Sequence, residues 1–168
     1  SYASALTRFL AGTMDIAEFK PFRGGHGVYE QRREGTFMVR ARVPGGLLTA
    51  AQATAVAAIA EDLGSGWVHL TTRQDVQVHD VALPATIDAM RRLLQAGLGC
   101  AGSGGDRVRN VMICPFAGLC PRQCFDVRPI VDELNRQLPG LAASYTLPRK
   151  FKIAVSGCDC DCALAVVN

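Results

Sequence analysis

Residues 67–79 read WVHLTTRQDVQVH, two short alternating runs on either side of Arg73–Gln74–Asp75. Period-two alternation marks half-buried strands, so Trp67–Thr71 and Val76–His79 read as a hairpin that turns at Arg73–Asp75. Upstream, Thr49 is suited to cap a helix over Ala50–Leu63, which Gly64 ends. The alanine-rich text of that segment has high helix propensity. Further upstream, Thr36–Val43 reads as a strand, with Phe37, Val39, Ala41 and Val43 alternating with Met38, Arg40 and Arg42, and Pro44–Gly45–Gly46 closes it. Downstream, Pro84 opens a second helix to about Ala96, with Ile87, Met90, Leu93 and Leu94 on one face. Gly97 and Gly99 stop it, and a short strand is expected near Leu98–Ala101. The order β-α-β-β-α-β is the ferredoxin-like pattern, an α+β fold with two helices on one face of an antiparallel sheet.

On this reading residues 36–101 form a ferredoxin-like half-domain. Residues 1–35, broken by Pro21 and Gly24–Gly25, are expected to be an irregular N-terminal extension. From residue 102 the text changes. A Gly/Ser stretch precedes Val108–Ile113, Pro129–Leu138 reads as a helix, and Phe151–Val155 reads as a strand. Residues 102–168 therefore look like the start of an α/β domain. The start at Ser1 and the stop six residues after Cys162 predict a fragment. Trp67 is assigned to the core.

Of the 168 residues, 49% are apolar and 20% charged, which excludes a disordered chain. No run of eighteen apolar residues and no secretory signal is visible, so neither a membrane span nor export is expected. The eighteen basic residues are fifteen Arg and three Lys, set singly within strand-like text. Without a basic stripe or a known motif, nucleic acid is not an expected partner.

Seven cysteines carry more information. An odd count without a signal argues against a secreted disulfide framework and for a reducing, cytoplasmic setting. Cys114 and Cys120 form C-x5-C, and Cys158 and Cys162 form C-x3-C. Two close pairs in turn-forming text can supply the four thiolates of an iron–sulfur cube. Zinc also accepts four thiolates, and unliganded buried thiols are common. Cys120 and Cys124 form a further C-x3-C, and Cys160 lies inside the last pair, so spacing alone does not name the ligands.

Four segments together resemble the siroheme-dependent sulfite and nitrite reductases. They are GVYEQRREGTFMVRARVPGG (27–46), HLTTRQDVQVH (69–79), GDRVRNVMICPFAGLC (105–120) and LPRKFKIAVSGCDCDC (147–162), in the family's order. The resemblance implies a [4Fe–4S] cluster held by Cys114, Cys120, Cys158 and Cys162, with Cys162 bridging to siroheme. It implies Arg73, Arg109, Lys150 and Lys152 on the open face of the siroheme, where the anion binds. Arg40, Arg42 and His79 are candidate partners of the siroheme carboxylates. A solvated surface role for both arginines, and an ordinary half-buried setting for the histidine, stand beside that reading.

The implied reaction is six-electron reduction of sulfite to sulfide or of nitrite to ammonia, fed by a ferredoxin or a flavoprotein. Lys150 and Lys152 lie at i and i+2, on one side of a strand, and cations there suit a small oxyanion. The family's second pair usually reads Cys-Pro-Asn-x-Cys, whereas this chain has Cys158–Asp159–Cys160–Asp161–Cys162. Family members usually join two similar halves, so a second homologous half or a two-fold copy is an expected partner, and the isolated chain is expected to be inactive. A precorrin-3B synthase-type enzyme and a non-catalytic electron-transfer module are the competing readings.

Overall fold

The computed structural model of the chain describes residues 1–141 and 147–167. Its elements in chain order are α1 (Tyr2–Leu10), α2 (Ile16–Gly25), β1 (Val28–Glu30), β2 (Thr36–Ala41), α3 (Ala50–Leu63), β3 (Val68–Leu70), β4 (Val76–Ala82), α4 (Thr86–Gln95), β5 (Val108–Ile113), α5 (Arg128–Gln137) and β6 (Phe151–Val155). The expected hairpin is β3–β4. Strands β1, β2, β4 and β3 lie in that order in one antiparallel sheet. Val28, Val39, Val78 and Val68 stand opposite one another across it and turn toward the helices. The adjacent row, Arg40, Gln77 and His69, faces the other way, because successive side chains alternate across a strand.

Helices α3 and α4 cover the valine face. Thr49 caps α3 by accepting from the Gln52 N–H at 3.1 Å, while the Gln52 side chain returns the bond to Thr49 at 3.0 Å. Helix α4 buries Thr86, Ala89 and Leu93. Leu94, expected on its apolar face, is exposed, because that face is centred one position earlier. Trp67, assigned to the core, is 49% exposed and stacks on His79 at 4.4 Å on the outer side of the sheet.

Two further expectations are corrected. Residues 1–35 are not irregular. Asp15 caps α2 by accepting from the Glu18 N–H at 2.7 Å, and Phe19 is fully buried, stacked on Phe9 at 4.4 Å. Tyr2 reaches across to the Thr86 hydroxyl at 2.9 Å. Burial of these aromatic rings in the shared core overrides the local breakers Pro21 and Gly24–Gly25. The strand expected near Leu98–Ala101 is not formed, and β1 occupies the edge beside β2 instead. Leu98 is buried and Gly99 still accepts from the Arg42 N–H at 2.8 Å, but Gly97 and Gly102 have left-handed φ values that end any ladder.

The second unit is a parallel pair, β5 and β6, covered by α5 through Val111, Ile113, Val127 and Val131. Polar links join it to the sheet. Arg42 donates to the carbonyls of Gly102 and Val108, both at 2.8 Å, and the Ser103 hydroxyl donates to Arg40 O at 2.9 Å. Gly27 sits at this seam with φ +77°, and a Cβ there meets the Ser103 hydroxyl at 2.1 Å. Among the described residues no helix is long and apolar enough to cross a membrane.

Phe19→Ala should lower stability by roughly 3–5 kcal/mol in chemical denaturation, as expected for a fully buried ring. A loss below about 1 kcal/mol would show that the N-terminal helices do not share the core.

Candidate functional site

The hairpin tip is shaped by Thr71. Its hydroxyl accepts from the N–H groups of Arg73 (3.3 Å) and Asp75 (2.9 Å), and its carbonyl accepts from the Gln74 N–H at 3.0 Å. Gln74 adopts φ +56°, which turns its side chain toward β5. Gln74 Nε2 donates to Ile113 O at 2.7 Å, and Gln74 Oε1 accepts from the Ile113 N–H at 3.0 Å. Asn110 completes the attachment. Its buried Nδ2 donates to Val43 O (2.8 Å), Arg73 O (3.1 Å) and Gln74 O (3.3 Å).

This attachment places Arg73, Arg109, Lys150 and Lys152 around one cleft of about 270 Å³, with Arg40, Tyr29, Thr71, Thr72 and Asp75. The four cations named from the sequence therefore come together, and Arg40 joins them. Arg42 and His79 do not line the cleft. Arg42 is spent on the seam carbonyls described above. His79 bonds Gln31 through Nδ1 at 2.9 Å, and Gln77 links it to the cleft. With its amide oriented to suit both neighbours, Gln77 accepts from Arg40 (2.7 and 3.0 Å) and donates to His79 Nε2 (3.1 Å).

Crowding shows in the titration of these groups. Burial and then the charge of Arg109 lower the pKa of Arg40 and of Arg73. Burial pushes the Asp75 carboxyl up to about 6, against the pull of the Val43 N–H and of Arg42, Arg40 and Arg109. Burial, followed by the charge of His69, lowers the pKa of His79. Arg109 is 7% exposed, and its Nε has no hydrogen-bond partner among the described residues. A buried donor without an acceptor is suited to an incoming anion.

The cysteines gather at the carboxyl ends of β5 and β6. Cys114 follows Ile113 directly, and its N–H donates to Val155 O at 3.3 Å. Cys158 follows Ser156–Gly157, and Gly157 O accepts from the Cys124 N–H at 2.8 Å. A Cβ on Gly157 meets Phe125 O at 2.8 Å, so only glycine permits this approach. The Cys162 thiol is raised in pKa by desolvation, then by Cys114 as charge neighbour and hydrogen-bond partner, then by Cys158 and Cys120. Cys162 thus feels the charge of the three other thiols that the resemblance implies, with Cys114 within hydrogen-bond reach. Cys160 instead donates to Asp159 Oδ1 at 3.5 Å, and together with Cys158 these ligand atoms lie within 4.8 Å of one another. Cys124 lies near Arg122 O at 3.9 Å. All seven cysteines are free, and the buried Cys100 stands apart, with its thiol pushed up to about 12 by burial. An apolar cleft of about 320 Å³ opens beside Cys114, and Thr71 lines both clefts.

Sequence reasoning missed Gln74, Asn110 and Asp75. A signal was present, since an amide inside the strand-like text RVRNVMI is out of pattern and calls for a partner.

Residues 29–96 match the nitrite/sulfite reductase ferredoxin-like half domain, and residues 104–168 match the nitrite and sulphite reductase 4Fe-4S domain. The chain is 34% identical over 154 residues to an assimilatory ferredoxin-dependent nitrite reductase of Haloferax mediterranei, covering 84% of this chain and 26% of that protein. It is 36% identical over 140 residues to a ferredoxin–nitrite reductase of Leptolyngbya laminosa, covering 80% of this chain and 28% of that protein. The chain therefore spans about a quarter of the length of these relatives. The Mycobacterium tuberculosis NirA protein superposes with a TM-score of 0.79 at 28% identity, over 87% of this chain and 30% of that one. A dissimilatory sulfite reductase I shares the fold, with a TM-score of 0.65 at 19% identity over 76% of this chain and 30% of that one. With both halves of its length matched in order, the chain belongs to the nitrite and sulfite reductase family, whose cofactors are siroheme and a [4Fe–4S] cluster.

Proposed function

We propose that the chain is part of a reductase that converts nitrite to ammonia, with electrons drawn from a ferredoxin. One observation carries the reading: Cys162 feels the charge of Cys114, Cys158 and Cys120 at one end of β5–β6, while Arg73, Arg109, Lys150 and Lys152 line one cleft. The printed names of the relatives support nitrite and ferredoxin. Sulfite, of similar size and charge, is the competing substrate.

The residues fit the family's cofactors. Free thiols meeting at a strand end are the soft donors an iron–sulfur cube requires, and Cys114, Cys120, Cys158 and Cys162 are the four to hold it. By the family resemblance, Cys162 would also be the thiolate offered to siroheme. Bound, the two cofactors supply electrons one at a time to the anion.

The chain's own residues do the rest. Arg73 and Arg109 hold the oxyanion by forked hydrogen bonds, and the unpartnered Arg109 Nε is one available donor. Lys150 and Lys152 face the same cleft, and their Nζ ammonium groups donate protons as each oxygen departs as water. All four cations stabilise the charge that develops as N–O bonds weaken. Reduced thiols suit the cytoplasm. The cations and the thiols lie at opposite ends of β5–β6, on either side of the hairpin tip. That separation supports the reading that a second homologous half, or a two-fold copy, completes each site.

The full-length protein, purified without oxygen, should show a Soret band with long-wavelength siroheme absorption and reduce nitrite faster than sulfite with a chemical reductant. A colourless, iron-free protein would overturn the proposal. Lys152→Gln should lower kcat by about 10²–10³ while leaving that spectrum intact. Cys114→Ser should remove iron and acid-labile sulfide together. The isolated 168-residue chain should show no turnover.

A further inference from the structure

Asp75 is the one carboxylate among the described residues lining the cation cleft. It is 2% exposed, and its Oδ1 accepts from the Val43 N–H at 3.4 Å. Charged and titratable groups surround it on every side. It meets the fields of Arg40 on β2, of Arg42 just beyond that strand, and of Arg109 on β5. Arg73 is its neighbour on the hairpin, and Lys150, Lys152 and Tyr29 stand around the same cleft. His79, further along β4, is linked to the cleft through Gln77 and feels the charge of Arg40.

The chemistry proposed for the cleft has no use for this acid. A negative charge there repels nitrite and weakens the attraction of each cation. Among the described residues its one fold role is to accept from the Val43 N–H, and desolvation of the carboxylate outweighs the return from that bond and from three arginines, so a neutral amide would serve the fold at least as well. A buried acid kept at such a position is most simply read as part of the site.

We propose that Asp75 is a positioning residue, the counter-charge of the anion cleft: ionised, it offsets one of the cations facing the substrate, and protonated, it frees that cation for the anion. This deepens the proposed reductase function and rests on it. The exchange falls in a useful range, because the Asp75 carboxyl is pushed up to about 6, while nitrite remains a monoanion well below that pH. Above about pH 6 the cleft is weaker by one net charge, and below it the cleft is stronger.

The test uses the full-length holoenzyme and nitrite between pH 5 and pH 8, followed by the anion-induced shift of the visible spectrum and by KM. In the unaltered enzyme, affinity should fall on the order of tenfold as pH rises through about 6, with kcat changing less. Asp75→Asn should bind nitrite as tightly at pH 7.5 as the unaltered enzyme does at pH 5, with no inflection. An unaltered enzyme with a flat profile, or an Asn variant that keeps the inflection, overturns the proposal. If the variant does not fold, the profile of the unaltered enzyme decides.

A second measurement needs no cofactor. The folded-state pKa lies above the ordinary 3.8, so this acid subtracts stability progressively as pH climbs from about 4 to about 6. Asp75→Asn should therefore be the more stable protein at pH 7.5, with the gap closing toward pH 4. Equal stability at both pH values overturns the counter-charge. Absence of siroheme with this stability gap intact overturns only the reductase reading.

Discussion

One amide side chain fixes the working parts of this molecule. Gln74 pairs with both the N–H and the carbonyl of Ile113, as a neighbouring strand would. Asn110, earlier on β5, holds the carbonyls of Arg73 and Gln74. The hairpin tip therefore touches β5 twice, once beside Arg109 and once beside Cys114. Each bond contributes only about 0.5–1.5 kcal/mol net. Their value is geometric: without them, neither Arg73 nor the wall between the two clefts has a fixed place relative to the thiols.

The same arrangement explains why so many cations can share one space. Isolated guanidinium groups repel, and burial removes the water that screens them. The fold answers with backbone carbonyls. Ser103 O accepts from both Arg40 and Arg109, and Arg42 donates to Gly102 and Val108. A hydrogen-bonded arginine keeps its charge and loses its freedom, which is the condition for binding a small anion without first ordering the site. The left-over strain shows in the lowered pKa values of Arg40 and Arg73.

Much of this was legible in the chain. The hairpin, the capped helix α3, the strands before each cysteine pair and the paired lysines all follow from local period and spacing. What escaped reading was non-local. Helices α1 and α2 hold because Phe19 and Tyr2 enter a core built by residues far along the sequence, and no local pattern reports that. Trp67 lies outside because it leads into the edge strand, whose outer face has no cover among the described residues. Arg40 and Arg42 look equivalent at i and i+2, yet the seam takes one and the cleft the other. Gln74, Asn110 and Asp75 are ordinary polar letters until the backbone they bind is in place.

The parallel pairing of β5 and β6 then sorts the chemistry. Val108 stands opposite Phe151 at the entry of the ladder, and Ile113 stands opposite Val155 at its exit. Arg109 and Lys152 therefore share one end, and Cys114 and Cys158 share the other. Had the two strands run antiparallel, each cysteine pair would lie beside the other strand's cations, roughly 16 Å from its partner thiols at 3.3 Å per residue. No four-thiol site could then form. Ligand sites at the carboxyl ends of parallel strands are the general outcome of this topology, because the loops leaving adjacent strands diverge there and open a crevice. Here the loops carry thiols, and the strand entries carry the positive charge. One ladder thus keeps a soft, electron-rich end apart from a hard, cationic one, within a unit whose buried core among the described residues is Val111, Ile113, Val127 and Val131.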